Sequence, residues 1–147
     1  MEGVKVAGVF LRRLALVCLH AGVAWGQVAV PSSVVFVCEH GSAKSLVAAS
    51  HFNRLAEARG LSIRAVAKGL APDAGPPEPV RQGLNLDGIP LGSFTPVPIR
   101  SEDFRPEVRV ISLSCALEGV APKGASFEAW MDLPAVSDGY APAREAI

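Results

Sequence analysis

The run Val34-Val35-Phe36-Val37 ends in Cys38 and passes through the short loop Glu39-His40-Gly41-Ser42-Ala43-Lys44 into a segment patterned as a helix. Four consecutive apolar residues, three of them β-branched, suit a strand buried on both faces, as in the interior of a parallel sheet. From Ser45 onward, Leu46, Ala49, Phe52, Leu55 and Ala56 recur at three- and four-residue steps, which predicts an amphipathic helix. Gly60 follows Arg59 as its stop signal, the cation sitting at the negative end of the helix dipole. Strand, tight loop and helix in direct succession make a βα unit, and such a unit leads to a parallel partner strand.

The rest of the chain supplies the partners. Ile63, Ala65 and Ala67 alternate with polar or small residues and predict a second strand. A proline-rich loop follows, then a short helix over Pro77–Leu86. Another proline-rich stretch holds one helical turn near Ser101–Phe104, and Val108–Ser114 predicts the third strand. A short fourth strand is expected around Phe127, and a helix starts at Pro142. This alternation predicts a single α/β domain over residues 32–147, a four-stranded parallel sheet flanked by helices with right-handed crossovers. Its closing helix, in Ala141–Ile147, is cut short after a turn or two. In such sheets ligands sit at the carboxyl ends of the strands, where the Cys38 loop lies.

Residues 1–26 read differently. Lys5, Arg12 and Arg13 precede an apolar run from Leu14 to Ala24, with small residues at Ala24 and Gly26. This is the layout of a secretory signal peptide cut near Gly26, which would place the mature protein in the periplasm or outside the cell. The alternative is an upstream extension from a misplaced start codon, leaving a cytoplasmic protein. The apolar run is shorter than the roughly 20 residues of a membrane span, so no integral span is expected in the mature chain. With 14 basic and 14 acidic residues the formal charge is zero, and no basic run carries interleaved aromatics. Nucleic acid is therefore not an expected partner.

The Cys38 loop has chemistry of its own. It delivers the chain to a helix N-terminus, where backbone N–H groups lack intrahelical partners and converge on an anion. Glu39, His40, Gly41, Ser42, Ala43 and Lys44 are the candidate oxyanion-binding residues. Gly41 suits a positive φ, Lys44 adds a positive charge, and Ser45 brings a hydroxyl near the sulfur. Helix end and lysine both favour a thiolate at Cys38, the nucleophilic form. The competing reading is an inert buried cysteine at a strand end. A nucleotide-binding loop is excluded, because Cys38 and Ala43 occupy its two glycine positions. Cys38, His40 and Glu39 lie too close together for a metal site, and no cofactor is implied.

The stretch from Val34 to Ala49 resembles the opening of the low-molecular-weight protein tyrosine phosphatase and arsenate reductase superfamily: an apolar strand, Cys, five residues, a cation and Ser, then an Ala-rich helix. The resemblance is close over residues 34–69 and looser through Arg109–Cys115 and Trp130–Val136. It implies that Cys38 attacks a phosphoryl or arsenyl group. Its ligands would be phosphate or arsenate, and its substrate a phosphate monoester of the phosphotyrosine type. Lys44 would stabilise developing charge and Ser45 the leaving thiolate.

The sequence departs from the family in three places that bear on its chemistry, and in a fourth, at Gly41, that does not. Lys44 replaces an arginine whose planar fork grips two oxygens. Ala135 and Val136 stand where the phosphatases carry an Asp-Pro acid, so Asp132 and Asp138 become the candidate proton donors. Only Cys115 remains of the relay cysteines of thioredoxin-coupled arsenate reductases, leaving a single Cys38–Cys115 redox pair as the alternative. Gly41 replaces the usual asparagine, a change expected to be neutral because both residues accept a left-handed backbone. A non-catalytic oxyanion-binding module is the third reading, and the oligomeric state is left open.

Overall fold

A computed structural model describes residues 32–147; the signal-peptide expectation lies outside them. In chain order the elements are β1 (Ser33–Cys38), α1 (Lys44–Ala58), β2 (Arg64–Gly69), α2 (Glu78–Leu86), β3 (Val97–Pro98), β4 (Val108–Leu113), β5 (Glu128–Trp130) and α3 (Tyr140–Ala146). The sheet is parallel throughout, in the order β3-β2-β1-β4-β5. The α/β domain is thus as expected, but the sheet has five strands rather than four. The additional strand, β3, has two residues, and one of them is Pro98. It pairs on one side only, with Lys68 and Gly69, the edge position where a proline costs the ladder nothing.

β1 lies at the centre because every residue from Val34 to Cys38 is buried. Its side chains alternate between two cores. Val34, Phe36 and Cys38 face the helices, packing with Leu46, Val47 and Ala49 of α1, Val80 and Leu84 of α2, and Ala143 of α3. Phe36 anchors this core, with its ring 6.0 Å from Phe52 and 6.2 Å from Trp130. Val35 and Val37 face the other way, against Ile99, Val110, Cys115 and Leu117. Loops close that second face, with Phe104 packed edge-on to Phe127. The cover is incomplete: Val66, beside Val35 in the ladder, is 46% exposed.

After β1 the chain builds β2 and β3 on one side, then crosses to build β4 and β5 on the other. The reversal opens a crevice at the carboxyl end of β1, the place where open α/β sheets bind ligands.

Candidate active site

The crevice is occupied by the loop from Cys38 to Lys44. Glycine makes its sharp turn possible in a particular way. Gly41 has φ +67°, and a Cβ there would lie 2.7 Å from the backbone nitrogen of Gly69. Conversely, a Cβ on Gly69 would lie 2.6 Å from the nitrogen of Gly41. The loop therefore rests backbone-to-backbone on the end of β2. Asparagine would satisfy the dihedral but not this contact, so glycine here is required as well as tolerated. Leu70 and Ala71 donate to the carbonyls of Cys38 and Glu39, and Asp73 donates to that of His40, fixing the loop from the β2 side.

Cys38 is buried, and its Sγ lies 3.1 Å from Ser45 Oγ, itself fully buried in the first turn of α1. In the thiolate form the hydroxyl donates to sulfur, the arrangement that stabilises a leaving thiolate. Above them is a cavity of about 370 Å³ lined on one side by Glu39, His40, Ser42, Ala43 and Lys44. Pro77 and Pro79 form a second wall, and Ala135, Val136 and Ser137 a third.

Asp73, which the sequence reading passed over, borders the same cavity. Its carboxylate accepts from Ser42 Oγ at 2.8 Å and faces His40 Nδ1 at 3.4 Å. Ser42 is buried, so this bond holds the middle of the loop rather than its rim. The available signal was an acid in the proline-rich loop directly after β2, at the ligand-binding end of the sheet.

The expected proton donors lie elsewhere. Asp132 and Asp138 are exposed and neither lines the cavity; Asp132 sits in a left-handed turn at φ +59°. Asp138 ends a 3-10 turn, Val136–Asp138, whose first two residues form the wall instead. Lys44 lines the cavity, with its ammonium donating to the Leu133 carbonyl at 3.4 Å. It is the one Lys or Arg among the described residues there. A charged hydrogen bond to an anion is worth about 1.5–3 kcal/mol, so Lys44→Met is expected to weaken phosphate binding by roughly tenfold or more. Protection of Cys38 from alkylation by graded phosphate measures this.

Cys115 is free and buried in the second core, on the opposite side of the sheet from the Cys38 side chain. Its thiol lies 3.6 Å from the Val37 carbonyl and 3.6 Å from Ser112 Oγ. Burial pushes this thiol above its ordinary range, against the Ser112 hydrogen bond, and so favours the unreactive neutral form. Among the described residues no group of three His, Cys, Asp or Glu could hold a metal ion, and no helix is long and apolar enough to cross a membrane.

No family model matches the sequence, and no curated protein matches it. Solved structures do. YfkJ from Bacillus subtilis superposes with a TM-score of 0.66 at 19% identity, covering 82% of this chain and 89% of that one. The arsenate reductase of Archaeoglobus fulgidus superposes at 0.57 with 25% identity, covering 77% and 89%. The thioredoxin-dependent arsenate reductase of Corynebacterium glutamicum gives 0.56 and 24%, covering 74% of this chain and 52% of that one.

Proposed function

We propose that this chain, which has the fold of the low-molecular-weight phosphatase and arsenate reductase superfamily, hydrolyses aryl phosphate monoesters through a phosphocysteine at Cys38. The observation that carries this reading is the contact between the Cys38 sulfur and Ser45 Oγ at the base of a cavity lined by the loop that leads into α1. The phosphoryl oxygens would take the N–H groups of the loop, and the thiolate would attack phosphorus in line with the departing oxygen. Water would then release phosphate and return the thiolate, with Ser45 stabilising sulfur in both steps. Pro77, Pro79, Ala135 and Val136 give the cavity apolar walls, a surface that suits an aromatic leaving group.

The likeness to arsenate reductases favours a second reading, reduction of arsenate at the same loop. That chemistry needs another thiol to take the oxidation from Cys38. Cys115 is the candidate within the chain, and its packing on the far side of the sheet supports hydrolysis over this route. A reductant supplied from outside the chain would be the remaining source.

The test is hydrolysis of an aryl phosphate between pH 5 and 8, without reductant, by the protein and by Cys38→Ser. Turnover that disappears with the serine supports the hydrolase. Equal rates from both proteins overturn it, and arsenate-dependent oxidation of added thiol by the wild type would put the reductase in its place.

A further inference from the structure

The geometry points to His40 as the acid that protonates the departing oxygen, held in position by Asp73. This inference rests on the hydrolase reading and assigns a step which that reading leaves without a donor. Neither Asp132 nor Asp138 borders the cavity, whereas His40 and Asp73 both do. His40 is the second residue after the nucleophile, and its ring is 57% exposed at the cavity rim, where a leaving group would emerge.

The ring is oriented through one nitrogen. Nδ1 lies 3.3 Å from the Ala71 carbonyl and 3.4 Å from Asp73 Oδ1, both acceptors, so Nδ1 carries a proton and Nε2 is left to exchange one. Asp73 is itself fixed, since its other oxygen accepts from buried Ser42 and its backbone N–H donates to the His40 carbonyl at 3.2 Å. The donor and the anion loop thus share one anchor. The β1–α1 loop supplies the donor and the β2–α2 connection its anchor, where the segment after β5 places neither at the cavity.

Written out, the thiolate forms the S–P bond as the P–O bond to the aryl group breaks. The electron pair goes to the aryl oxygen, which takes the Nε2 proton of the His40 imidazolium. In the second step the neutral Nε2 accepts a proton from the water that attacks phosphorus. The S–P bond breaks, phosphate leaves, and thiolate and imidazolium are restored. No other reactant is needed.

The experiment compares phenyl phosphate, whose leaving group requires a proton, with dinitrophenyl phosphate, whose leaving group does not. For His40→Gln, kcat on phenyl phosphate is expected to fall by about 10²- to 10⁴-fold, the usual contribution of general acid catalysis. On dinitrophenyl phosphate the fall is expected to be less than about tenfold. Asp73→Asn is expected to show the same selectivity in smaller measure, as a positioning residue should. Phosphate protection of Cys38 from alkylation reports whether the loop of each variant still forms. An equal fall on both esters with protection intact, or no fall on either, overturns the assignment and leaves the hydrolase standing. Loss of protection in His40→Gln also overturns it, by making the residue a structural part of the loop. Failure of the wild type on both esters removes the hydrolase reading, and this inference with it.

Discussion

Gly41→Ala is expected to destabilise the domain by about 2–5 kcal/mol and to abolish phosphate protection of Cys38. Two costs combine. A left-handed backbone at φ +67° costs a residue with a Cβ about 1–2 kcal/mol relative to glycine. The new methyl would also lie 2.7 Å from the Gly69 nitrogen and 3.0 Å from the Gly69 Cα, and backbone cannot swing aside as a side chain can. Relieving such overlap typically costs about 1–3 kcal/mol. The only escape is to lift the loop off β2, which breaks the bonds from Leu70 and Ala71 to the Cys38 and Glu39 carbonyls and disperses the amides meant for the anion. Chemical denaturation gives the stability change, and alkylation in the presence of phosphate gives the loss of the site. A control at Gly60, also at positive φ (+65°) but with nothing near its missing Cβ, should pay the first cost alone and keep phosphate protection.

The central βα unit was legible because its signals are local. Four apolar residues in a row and a three-to-four spacing are properties of adjacent positions, and they locate β1 and α1 to within a residue or two. β2 and β4 were legible for the same reason. β3 was not, since two residues carry no periodicity and Pro98 argues against a strand. Its pairing is imposed from outside, where Ile99 donates to the Gly69 carbonyl and the 3-10 turn at Ser101–Asp103 is held by the Lys68–Asp103 ion pair at 2.7 Å.

The candidate site divides along the same line. Cys38, Ser45 and the loop between them are seven positions apart in sequence and meet by local geometry. Asp73 joins them across 31 positions, through the β1–β2 pairing, and no spacing within the loop foretells it. Asp132 and Asp138 are the acids nearest in sequence to the position of the family's proton donor. The turn there presents Ala135, Val136 and Ser137 to the cavity and leaves both carboxylates in solvent. His51 is a further long-range case: it is partly buried in a network with Asp87 and Tyr140, residues 36 and 89 positions away.

Asp87→Ala is expected to cost about 2 kcal/mol at pH 7, and the cost is expected to vanish in acid. Asp87 closes α2, with its side chain only 16% exposed, and accepts from Tyr140 Oη at 2.7 Å and from Arg144 Nη1 at 2.8 Å. His51 Nε2 of α1 lies 3.1 Å from the same carboxylate. Tyr140 itself lies so close over Gly83 that a Cβ there would meet its ring at 2.3 Å, so the acid joins all three helices where they already touch. Removing it strands a half-buried phenol, a guanidinium and an imidazole, each losing a hydrogen bond worth roughly 1 kcal/mol net and screened by nearby water. The Tyr140 hydrogen bond first, and the Arg144 and His51 charges after it, hold the Asp87 carboxyl below its ordinary range, outweighing burial. A depressed carboxyl contributes stability above its unfolded value near 3.8 and loses it as pH falls through the lower folded value. His51 is also depressed, by burial first and the Arg54 charge second, so the wild type begins to lose stability on acidification earlier, as pH drops through about 6.5. Urea denaturation at pH 7, 5 and 3 should therefore show the wild type weakening in two stages. The Asp87→Ala protein should keep the first stage and lack the second, so that the two stabilities converge toward pH 3. A difference as large at pH 3 as at pH 7 would mean that Asp87 acts through packing rather than charge.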